Sequence, residues 1–575
     1  PVLNFIKVAY RYGGTYTWNR KPFAADIQVG NTIQNTNTQN ITANVNFVSL
    51  YTRIPFLNKL LNPNAAAPKT AQTMNRLDPK KREMTLADTL KSKKENPFKN
   101  ILQLVGQTLL MLKNASLTYQ LNGGQALPNF LPSSQYLGLD PEVNHAPGIK
   151  FISGIYDSEL LQKSISNQWI SLNPVQTSPY LENSGKTLNY RASIEPHKSL
   201  RIDLNGVYTL SRSKSSYILF DSTYSLNNGY RTNISPVETG NFNISTLMLG
   251  RSFKETGDAL SSVLFNDFLN ERDNAARFLS EQNPYSKGID TIPGTGRAYY
   301  DGYTPNQQDV LLYAFYKAYT GTEISSYSTR SIFPKLPLPG WTLNFDGLGQ
   351  IPAFQKYFRG IGLRHGYRST YSIGSFNNDL LFNSDSMLQN RRYQVSVVSG
   401  TAELNPNFIS YYNINTVVFS ENFEPLIRLD FQFKDPKWTF NTEMKRNKTI
   451  ALNPKSIQII ETRGQEFVVG FGYKHPKLKI GKWMIMGRPL ESPLTTRMDL
   501  SYRKNITIIR DISSANSMPS AGTNIWSLRS SADYQITDMI TLRLFYDWTS
   551  NTPQTSAAFP TSNTNGGFSL RINFQ

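Results

Sequence analysis

Ser184 to Thr187 read Ser-Gly-Lys-Thr, the order of residue types that ends the phosphate-binding loop of many nucleotide-binding proteins. In that loop a glycine-rich turn surrounds the phosphates with backbone N–H groups, and the lysine contacts them. The motif requires a glycine five positions before Gly185, where this chain has Tyr180. It also requires a helix to follow, whereas the residues after Thr187 alternate as in a strand. We therefore expect no nucleotide site here.

A second short pattern, Ser211 followed three residues later by Lys214, matches the Ser-x-x-Lys of serine β-lactamases. The companion motifs of those enzymes are absent from the sequence. Glu421 and Glu424 are close together, but no acid–base partner accompanies them. The sequence also contains no His-Glu-x-x-His, no Gly-x-Ser-x-Gly and no EF-hand loop. We expect no catalytic residues, and the protein is not expected to be an enzyme.

Metal and cofactor chemistry has few candidate ligands in this chain. Cysteine is absent, so disulfides and thiolate metal sites are excluded. The histidines number only four and are far apart in sequence: His145, His197, His365 and His475. We expect no metal site and no cofactor.

The formal net charge of +19 has two interpretations. A basic surface can bind nucleic acid, or it can line a water-filled lumen or a periplasmic face. Lysine and arginine are spread along the strand-like segments rather than clustered. This distribution favours the second interpretation, and no nucleic-acid partner is expected.

The last fifty residues show most clearly which elements position these side chains. Apolar and polar residues alternate there in three segments, which is the pattern of antiparallel strands. On the apolar side we expect a lipid-facing girdle formed by Trp526, Leu544, Tyr546 and Trp548. The opposite side carries arginine and aspartate, for example Arg543. The terminal strand, expected to direct barrel assembly, presents Phe568, Leu570, Ile572 and Phe574.

The length of these segments distinguishes two classes of β-protein. Each has about ten residues with aromatics near its ends, as in a membrane-spanning barrel strand, whereas strands of soluble sandwiches usually have about five or six. Mean hydropathy is −0.40, and no apolar run approaches the roughly eighteen residues of a transmembrane helix. The predicted fold is all-β, the C-terminal portion of a very large transmembrane β-barrel with helical insertions. Roughly fifteen to eighteen strands are expected.

The strand pattern divides the chain into five regions. Strands are expected in 1–57, in 115–250 with long loops, and in 331–575. Region 58–114 combines a basic loop with helical spacing from Phe98 to Leu112, and 251–330 is a second helical insertion. Within it, helices are predicted over 260–269 and 310–318, the latter capped by Gly321. The alternation of apolar and polar residues is already present in the first residues after Pro1, which favours a piece of a longer barrel.

Several long segments resemble the SprA/Sov family, the giant outer-membrane translocon proteins of the Bacteroidetes type IX secretion and gliding-motility system. Together they extend over most of the chain. The matching segments are Leu336–Leu348, His365–Gly374, Phe423–Ile427, Phe467–Tyr473, Ala532–Tyr534 and Asn551–Asn565, with Leu110–Ser116, Leu127–Phe130, Gln308–Leu311 and Ala314–Phe315 upstream. One departure is visible: many outer-membrane barrels end on an aromatic residue, whereas here Phe574 is followed by Gln575.

The resemblance implies a gated conduit in the outer membrane of a Gram-negative Bacteroidetes bacterium. Members of this family pass folded cargo proteins that carry a C-terminal signal domain. A PorV-type partner barrel docks at a lateral opening, and a periplasmic plug protein closes the other state. Outer-membrane lipid and the remaining N-terminal part of the same barrel complete the expected partners.

Two other functions stay open at this point. One is an outer-membrane porin or nutrient-receptor barrel, which would close on its own strands through short turns. The other is a soluble β-sandwich adhesin, which would not place arginine and aspartate opposite aromatic-tipped apolar faces over about ten residues. The helical insertions and the family segments favour the translocon.

Overall fold

The computed structural model describes residues 4–21, 30–61, 110–172, 178–254, 260–291, 298–322, 332–382, 391–395, 402–485, 488–537, 539–555 and 558–573. The strands are Ile6–Asn19 (β1), Asn31–Asn46 (β2), Leu112–Phe130 (β3), Tyr180–His197 (β4), Leu200–Phe220 (β5), Tyr230–Ser245 (β6), Ile289–Thr291 (β7), Ala298–Tyr300 (β8), Gly340–Phe345 (β9), Phe358–Asn378 (β10), Arg391–Val395 (β11), Ala402–Phe408 (β12), Tyr412–Ile414 (β13), Val417–Phe433 (β14), Trp438–Asn453 (β15), Gln458–Ile485 (β16), Arg488–Asp511 (β17), Ser517–Gln535 (β18), Ile540–Pro553 (β19) and Thr561–Ile572 (β20).

Helices of 4 to 20 residues occupy the connections between strands. They are Phe47–Tyr51 (α1), Pro55–Leu61 (α2), Ile149–Ile152 (α3), Leu160–Ser166 (α4), Leu249–Ser252 (α5), Val263–Gln282 (α6), Gln308–Thr320 (α7) and Pro352–Gln355 (α8), with 3-10 turns at Tyr136–Gly138, Asn227–Gly229 and Gly347–Gln350. None of the helices within the described ranges has the length and apolar character that crossing a bilayer demands.

One antiparallel sheet dominates the molecule. It has sixteen strands, ordered β1-β2-β3-β4-β5-β6-β10-β14-β15-β16-β17-β18-β19-β20, with β9 and β13 beside this path. The all-β prediction is confirmed, and the sixteen strands of this sheet lie within the expected range of roughly fifteen to eighteen. The strands along the path are longer than the expected ten residues, from 12 in β20 to 28 in β16. The difference arises because the apolar pattern covers only part of each strand, and the ladder continues beyond it.

One position in the sheet is shared by two strands. Both β6 and β9 lie between β5 and β10, β6 beside their one end and β9 beside their other end. The Leu338 N–H donates to the Ser245 carbonyl (3.0 Å), so the second strand continues nearly where the first stops. Gly340 is required at this junction, since a Cβ there would lie 2.7 Å from the Tyr367 carbonyl oxygen. The chain therefore leaves the sheet after Ser245 and returns at Gly340.

We call residues 246–339, which include the predicted region 251–330, the helical insertion. Its described part packs on one face of the sheet through α6 and α7. The Ser262 side chain accepts from the Phe265 N–H (3.1 Å) and caps α6. Gly321, at φ +76°, ends α7 with its N–H on the Lys317 carbonyl. Both helices and the glycine cap confirm the sequence prediction for 260–269 and 310–318. The helix expected from Phe98 to Leu112 falls largely outside the described residues.

An aromatic core joins the insertion to the sheet. The Phe315 ring contacts Phe268 of the other helix (6.2 Å between centroids) and Phe419 of β14 (5.2 Å). Tyr371 of β10 also packs on Phe419, at 5.0 Å. These four side chains are fully or almost fully buried. Burial of each such ring contributes on the order of 2–3 kcal/mol, so the insertion and the sheet form one packed unit.

A buried ionic cluster fixes the same insertion to the sheet. Glu461 of β16 is fully buried and lies 2.8 Å from Arg510, 3.2 Å from Lys448 and 2.7 Å from Arg463. Arg510 is fully buried as well and donates to the Leu260 carbonyl in the insertion (2.9 Å). The carboxylate therefore compensates cations on three strands, and one of those cations holds the insertion.

We predict that Glu461→Gln destabilises the folded protein by about 3–5 kcal/mol, because it leaves buried cations without their counter-ion. The measurement is the midpoint of thermal unfolding of the full chain, with protease resistance of the insertion as a second readout. Asp499→Asn is the matched control: its pair with Arg497 (2.7 Å) is solvent-exposed, and its loss costs about 0–1 kcal/mol. Equal effects of the two variants would contradict a dominant role for the buried cluster.

A second packed unit joins the 131–172 connection to β1, β2 and β3. Phe130, Phe151 and Trp169 form its buried apolar centre. Asp157 is buried beside it and lies 3.2 Å from Lys150 and 3.3 Å from Lys163. Burial opposes ionisation of this carboxyl, but the Glu159 N–H and the two lysines outweigh it and hold the pKa of Asp157 below its ordinary value.

This lowered pKa predicts that the 131–172 connection loosens in acid. The stabilisation is fully present above the unfolded-state pKa of about 3.9 and is lost as the pH falls through the lower folded-state value. Limited proteolysis of the connection should therefore accelerate below about pH 4 in the wild type. Asp157→Asn should be cleaved faster at neutral pH and show no such acid transition; an unchanged acid transition in that variant would assign it to another group.

Candidate functional site, a wall with an apolar and an ionic face

One face of the main sheet exposes large apolar side chains on β1 and on β14 to β20. Residues paired across antiparallel strands share a face, so the register identifies the members. We call this set the apolar belt: Val8, Tyr10, Ile427, Trp438, Met444, Phe467, Phe471, Met498, Leu500, Trp526, Leu544, Tyr546, Phe568, Leu570 and Ile572, all exposed. Soluble proteins rarely expose a contiguous apolar patch of this extent, so the belt marks a surface that meets an apolar phase or partner.

The structure brings the predicted girdle residues together. Leu528 pairs with Trp548, Ser530 with Tyr546 and Ala532 with Leu544, which places the whole set on the face of Trp526. The exposed fractions of Trp526, Leu544 and Tyr546 are 45%, 52% and 44%, and Trp548 is half-buried. That these side chains contact lipid stays a prediction.

The terminal strand extends the same face. Phe568 pairs with Leu544, and Leu570 and Ile572 pair with Leu542 and Ile540. Phe574 lies outside the described residues. The part of β20 in barrel assembly stays a prediction.

Aromatic rings mark the two limits of the belt. Tyr502 packs on Trp526 at one limit (4.7 Å between centroids), and Trp438 packs on Tyr473 at the other (4.2 Å). On β19 the apolar residues of the belt face reach from Ile540 to Trp548, about 27 Å at about 3.4 Å per residue. A strand tilted by about 40° would span about 20 Å of depth, close to the apolar band of about 25 Å in outer-membrane barrels. The aromatic limits match the interfacial girdles of such barrels.

The belt moves along the strands from one side of the sheet to the other. Successive register pairs carry Tyr10 of β1 through Ile41, Tyr119, Leu188, Tyr208, Ile244, Tyr371, Phe419 and Ile450 to Glu461 of β16. Tyr10 lies in the belt, whereas Glu461 is buried and the belt on β16 begins six residues later, at Phe467. An apolar band that stays level must be staggered in this way when strands are tilted, as they are in closed barrels.

The opposite face carries ion pairs instead of apolar residues. A chain of contacts crosses β14 to β17, and we call it the ionic ladder. Its consecutive distances are 2.9 Å for Asp430–Arg428, 3.3 Å for Arg428–Glu443, 3.7 Å for Glu443–Lys445, 3.8 Å for Lys445–Glu466 and 2.9 Å for Glu466–Arg503. Partly exposed pairs of this kind contribute little stability. Their consequence is a hydrophilic surface that requires water.

Similar pairs lie elsewhere on this face. Arg201–Asp203 (3.0 Å) belongs to β5, Arg497–Asp499 to β17, and Arg543 of β19 reaches Asp533 of β18 (3.6 Å). The expectation that arginine and aspartate share the side opposite the girdle is therefore confirmed for these strands. Sequence alone did not show which charges pair across strands, since only the register determines that.

The short motifs of the sequence occupy positions unsuited to their chemistry. Gly185 and Lys186 lie inside β4, and Ser211 and Lys214 lie inside β5, so no helix follows either motif. Glu421 is buried and accepts hydrogen bonds from Ser252 and from the Tyr367 hydroxyl (3.1 Å). Within the described ranges, no three histidine, aspartate or glutamate side chains are grouped as a metal site.

Comparisons with known proteins give distant structural similarities. No protein-family model and no curated protein matches the chain. OmpT, an outer membrane protein of Vibrio cholerae, has 9% identity and a TM-score of 0.16 over 69% of this chain and 94% of its own. The ferric-catecholate import receptor Fiu of E. coli K12 has 7% and 0.21 over 96% and 65%. The anion-selective porin of Comamonas acidovorans has 9% and 0.15 over 68% and 92%.

Their descriptions name an outer membrane protein, an import receptor and a porin. Because TM-scores of this size reflect only a loose overlap, the roles of the two faces rest on this chain's own residues.

We predict that Leu544→Arg costs about 2–4 kcal/mol of folding stability in a bilayer if the belt contacts lipid near its midplane, whereas Arg543→Leu is mild. The two positions are adjacent and point to opposite faces, so they form a matched pair. The free energy of unfolding is measured by denaturant titration of the full chain in lipid vesicles. Equal costs for both substitutions would show that the face assignment is wrong.

Proposed function

We propose that this chain forms part of the wall of an outer-membrane β-barrel, with the apolar belt against lipid and the ionic ladder toward a water-filled lumen. The observation that carries the proposal is the separation of the two kinds of side chain onto opposite faces of β14 to β19. A belt of about 20–25 Å between aromatic limits fits a bilayer, and charged residues opposite it require water.

The pairing of the outermost strands supports a wall larger than the described part. β1 is hydrogen-bonded to β2 and β20 to β19, and within the described residues they do not pair with each other. An unpaired strand edge is unfavourable in lipid, since its N–H and C=O groups lose hydrogen bonds. We infer that further strands complete the barrel; by the resemblance, these belong to the remaining N-terminal part of the same barrel.

A barrel of that size would be a conduit rather than a catalyst. Barrels of 16–18 strands already leave an aqueous channel. The path described here has fourteen strands before any addition. Together with the family segments in the sequence, this supports the translocon of the type IX secretion system, exporting folded cargo that carries a C-terminal signal domain. A PorV-type partner barrel and a periplasmic plug protein would gate it.

The chain's own residues would contribute surface chemistry to transport. The ionic ladder pairs most of its charges internally, so the lumen stays hydrated without a strong field of one sign. A passing folded protein would meet hydrated ion pairs and amides rather than apolar surface that could retain it. The belt on the opposite face would hold the wall in the membrane.

Two alternatives differ in their expected consequences. A porin or nutrient-receptor barrel would share the belt and the ladder but carry small molecules. A soluble β-sandwich adhesin would cover its apolar face with a second sheet. In the described residues the belt is exposed, which disfavours the adhesin.

We predict that cells lacking the protein stop releasing a whole set of proteins that share one C-terminal domain and retain them inside. The measurement compares the culture medium and the cell fractions of deleted cells, with restoration by the wild-type chain as the control. Unchanged secretion together with lost uptake of a nutrient would identify a porin or receptor. Wild-type levels of the chain in a soluble fraction would contradict the membrane wall itself.

A further inference from the structure

The edge of the helical insertion borders the apolar belt on β14 and β15. Phe253 lies at this edge with 51% of its side chain exposed. Its ring packs on Phe423 of β14 (5.5 Å), and the Arg446 guanidinium lies over it at 4.9 Å. Arg446 comes two residues after Met444, a belt residue of β15. Phe253 therefore extends the belt along β14 and β15, toward the part of these strands that the insertion covers.

Two exposed lysines accompany Arg446 in this part of the molecule. Lys254 follows it directly in sequence, and Lys504 lies two residues beyond Tyr502 on β17. Arg446 pairs with Gln465, which pairs with Lys504, so both cations share the belt face about 10 Å apart. Within the described residues, neither Lys254 nor Lys504 has a carboxylate at ion-pair distance. Both lysines are exposed, so they present positive charge to the surroundings of this part of the wall.

More apolar side chains lie exposed along the same stretch of the insertion. Leu247, Leu249, Leu260 and Val263 have exposed fractions of 38%, 37%, 38% and 51%. Apolar tips combined with lysine and arginine are typical of segments that lie in a membrane interface, with the apolar groups at the acyl boundary and the cations at the phosphates. Two described carboxylates lie at this segment: Asp267 is paired with Arg251 (2.8 Å), and Glu421 is buried and hydrogen-bonded to Ser252 and Tyr367.

We propose that this edge, the lipid foot formed by Phe253, Lys254, Arg446 and Lys504, binds the phosphate groups of outer-membrane lipids. The inference rests on the proposed function, since it takes the belt to be the lipid-facing surface. Lipid is the expected occupant because the foot is continuous with the belt, and molecules that cover the belt extend their headgroups to this level. The charges are complementary to phosphate.

The foot also links the membrane to the insertion. Arg446 donates to the Ser252 carbonyl (2.9 Å), so the same side chain contacts the insertion and faces the headgroup level. A phosphate bound beside it would hold the insertion against the wall from below, while Arg510 holds it from above through the Leu260 carbonyl. Within the part of the chain that the structure describes, Lys254 and Lys504 make no such contact with the insertion, which makes them the better positions for a test.

The test compares Lys254→Gln/Lys504→Gln with Arg529→Gln/Arg571→Gln in the full chain purified in a mild detergent. The control removes two exposed cations from the opposite face. Phosphatidylglycerol and phosphatidylcholine are titrated in mixed micelles. We expect the affinity for phosphatidylglycerol to fall about tenfold in the lysine variant and to stay unchanged in the control. Equal affinities of the wild type and the lysine variant for phosphatidylglycerol would overturn the lipid foot. If the wild type bound inorganic phosphate as tightly as phosphatidylglycerol, the site would be one for free anions, and the lipid foot would be overturned as well.

A second measurement separates this inference from the membrane assignment. The chain has no cysteine, so Lys254→Cys and Leu544→Cys each create one site for a nitroxide label. In lipid vesicles, the label at 544 should be relaxed by oxygen dissolved in the hydrocarbon, and the label at 254 should report the headgroup level. A water-exposed label at 254 with a hydrocarbon-buried label at 544 would overturn the foot alone. Water exposure at 544 would overturn the proposed function as well.

Discussion

The backbone hydrogen-bond ladder is the constraint on which the remaining structure depends. A wall with lipid on one side has no water there to satisfy a free N–H or C=O, so every strand must be paired along the part that crosses the membrane. Once the backbone hydrogen bonding is continuous, alternate side chains face opposite sides, and each face can be specialised without disturbing the other. The ionic ladder and the apolar belt are thus two consequences of a single pairing pattern, and the long strands extend that pattern beyond the belt.

The belt face has two different surroundings at two positions along the strands. At one height it exposes rings and aliphatic side chains, and further along the same strands it supports the helical insertion. Glu461 and Arg510 lie on this face, although charges buried without compensation are very unfavourable. They are accommodated because the insertion covers them and supplies a backbone carbonyl. A side chain's environment on such a wall is therefore determined by its face together with its position along the strand.

Much of the fold could be predicted from the sequence because alternation and capping are local signals. The strands around Trp526 and Leu544 and the glycine cap at Gly321 depend on neighbours only a few residues away. The cluster around Glu461 could not be predicted, since Arg510 is 49 residues distant and only the register brings the two together. The proximity of Phe253 and Arg446 in the proposed lipid foot could not be predicted for the same reason, because the two residues are close in space and remote in sequence.

The interrupted strand has a consequence for how this wall could have acquired its insertion. Because Leu338 is hydrogen-bonded to Ser245, the two ends of a segment of more than ninety residues meet at a single point of the sheet. A domain with adjacent ends can be added to a host or removed from it with little change in the host's own chain path. The wall and the insertion can therefore be regarded as a scaffold and a graft, joined at one seam, and able to vary at different rates in descendants of the same barrel.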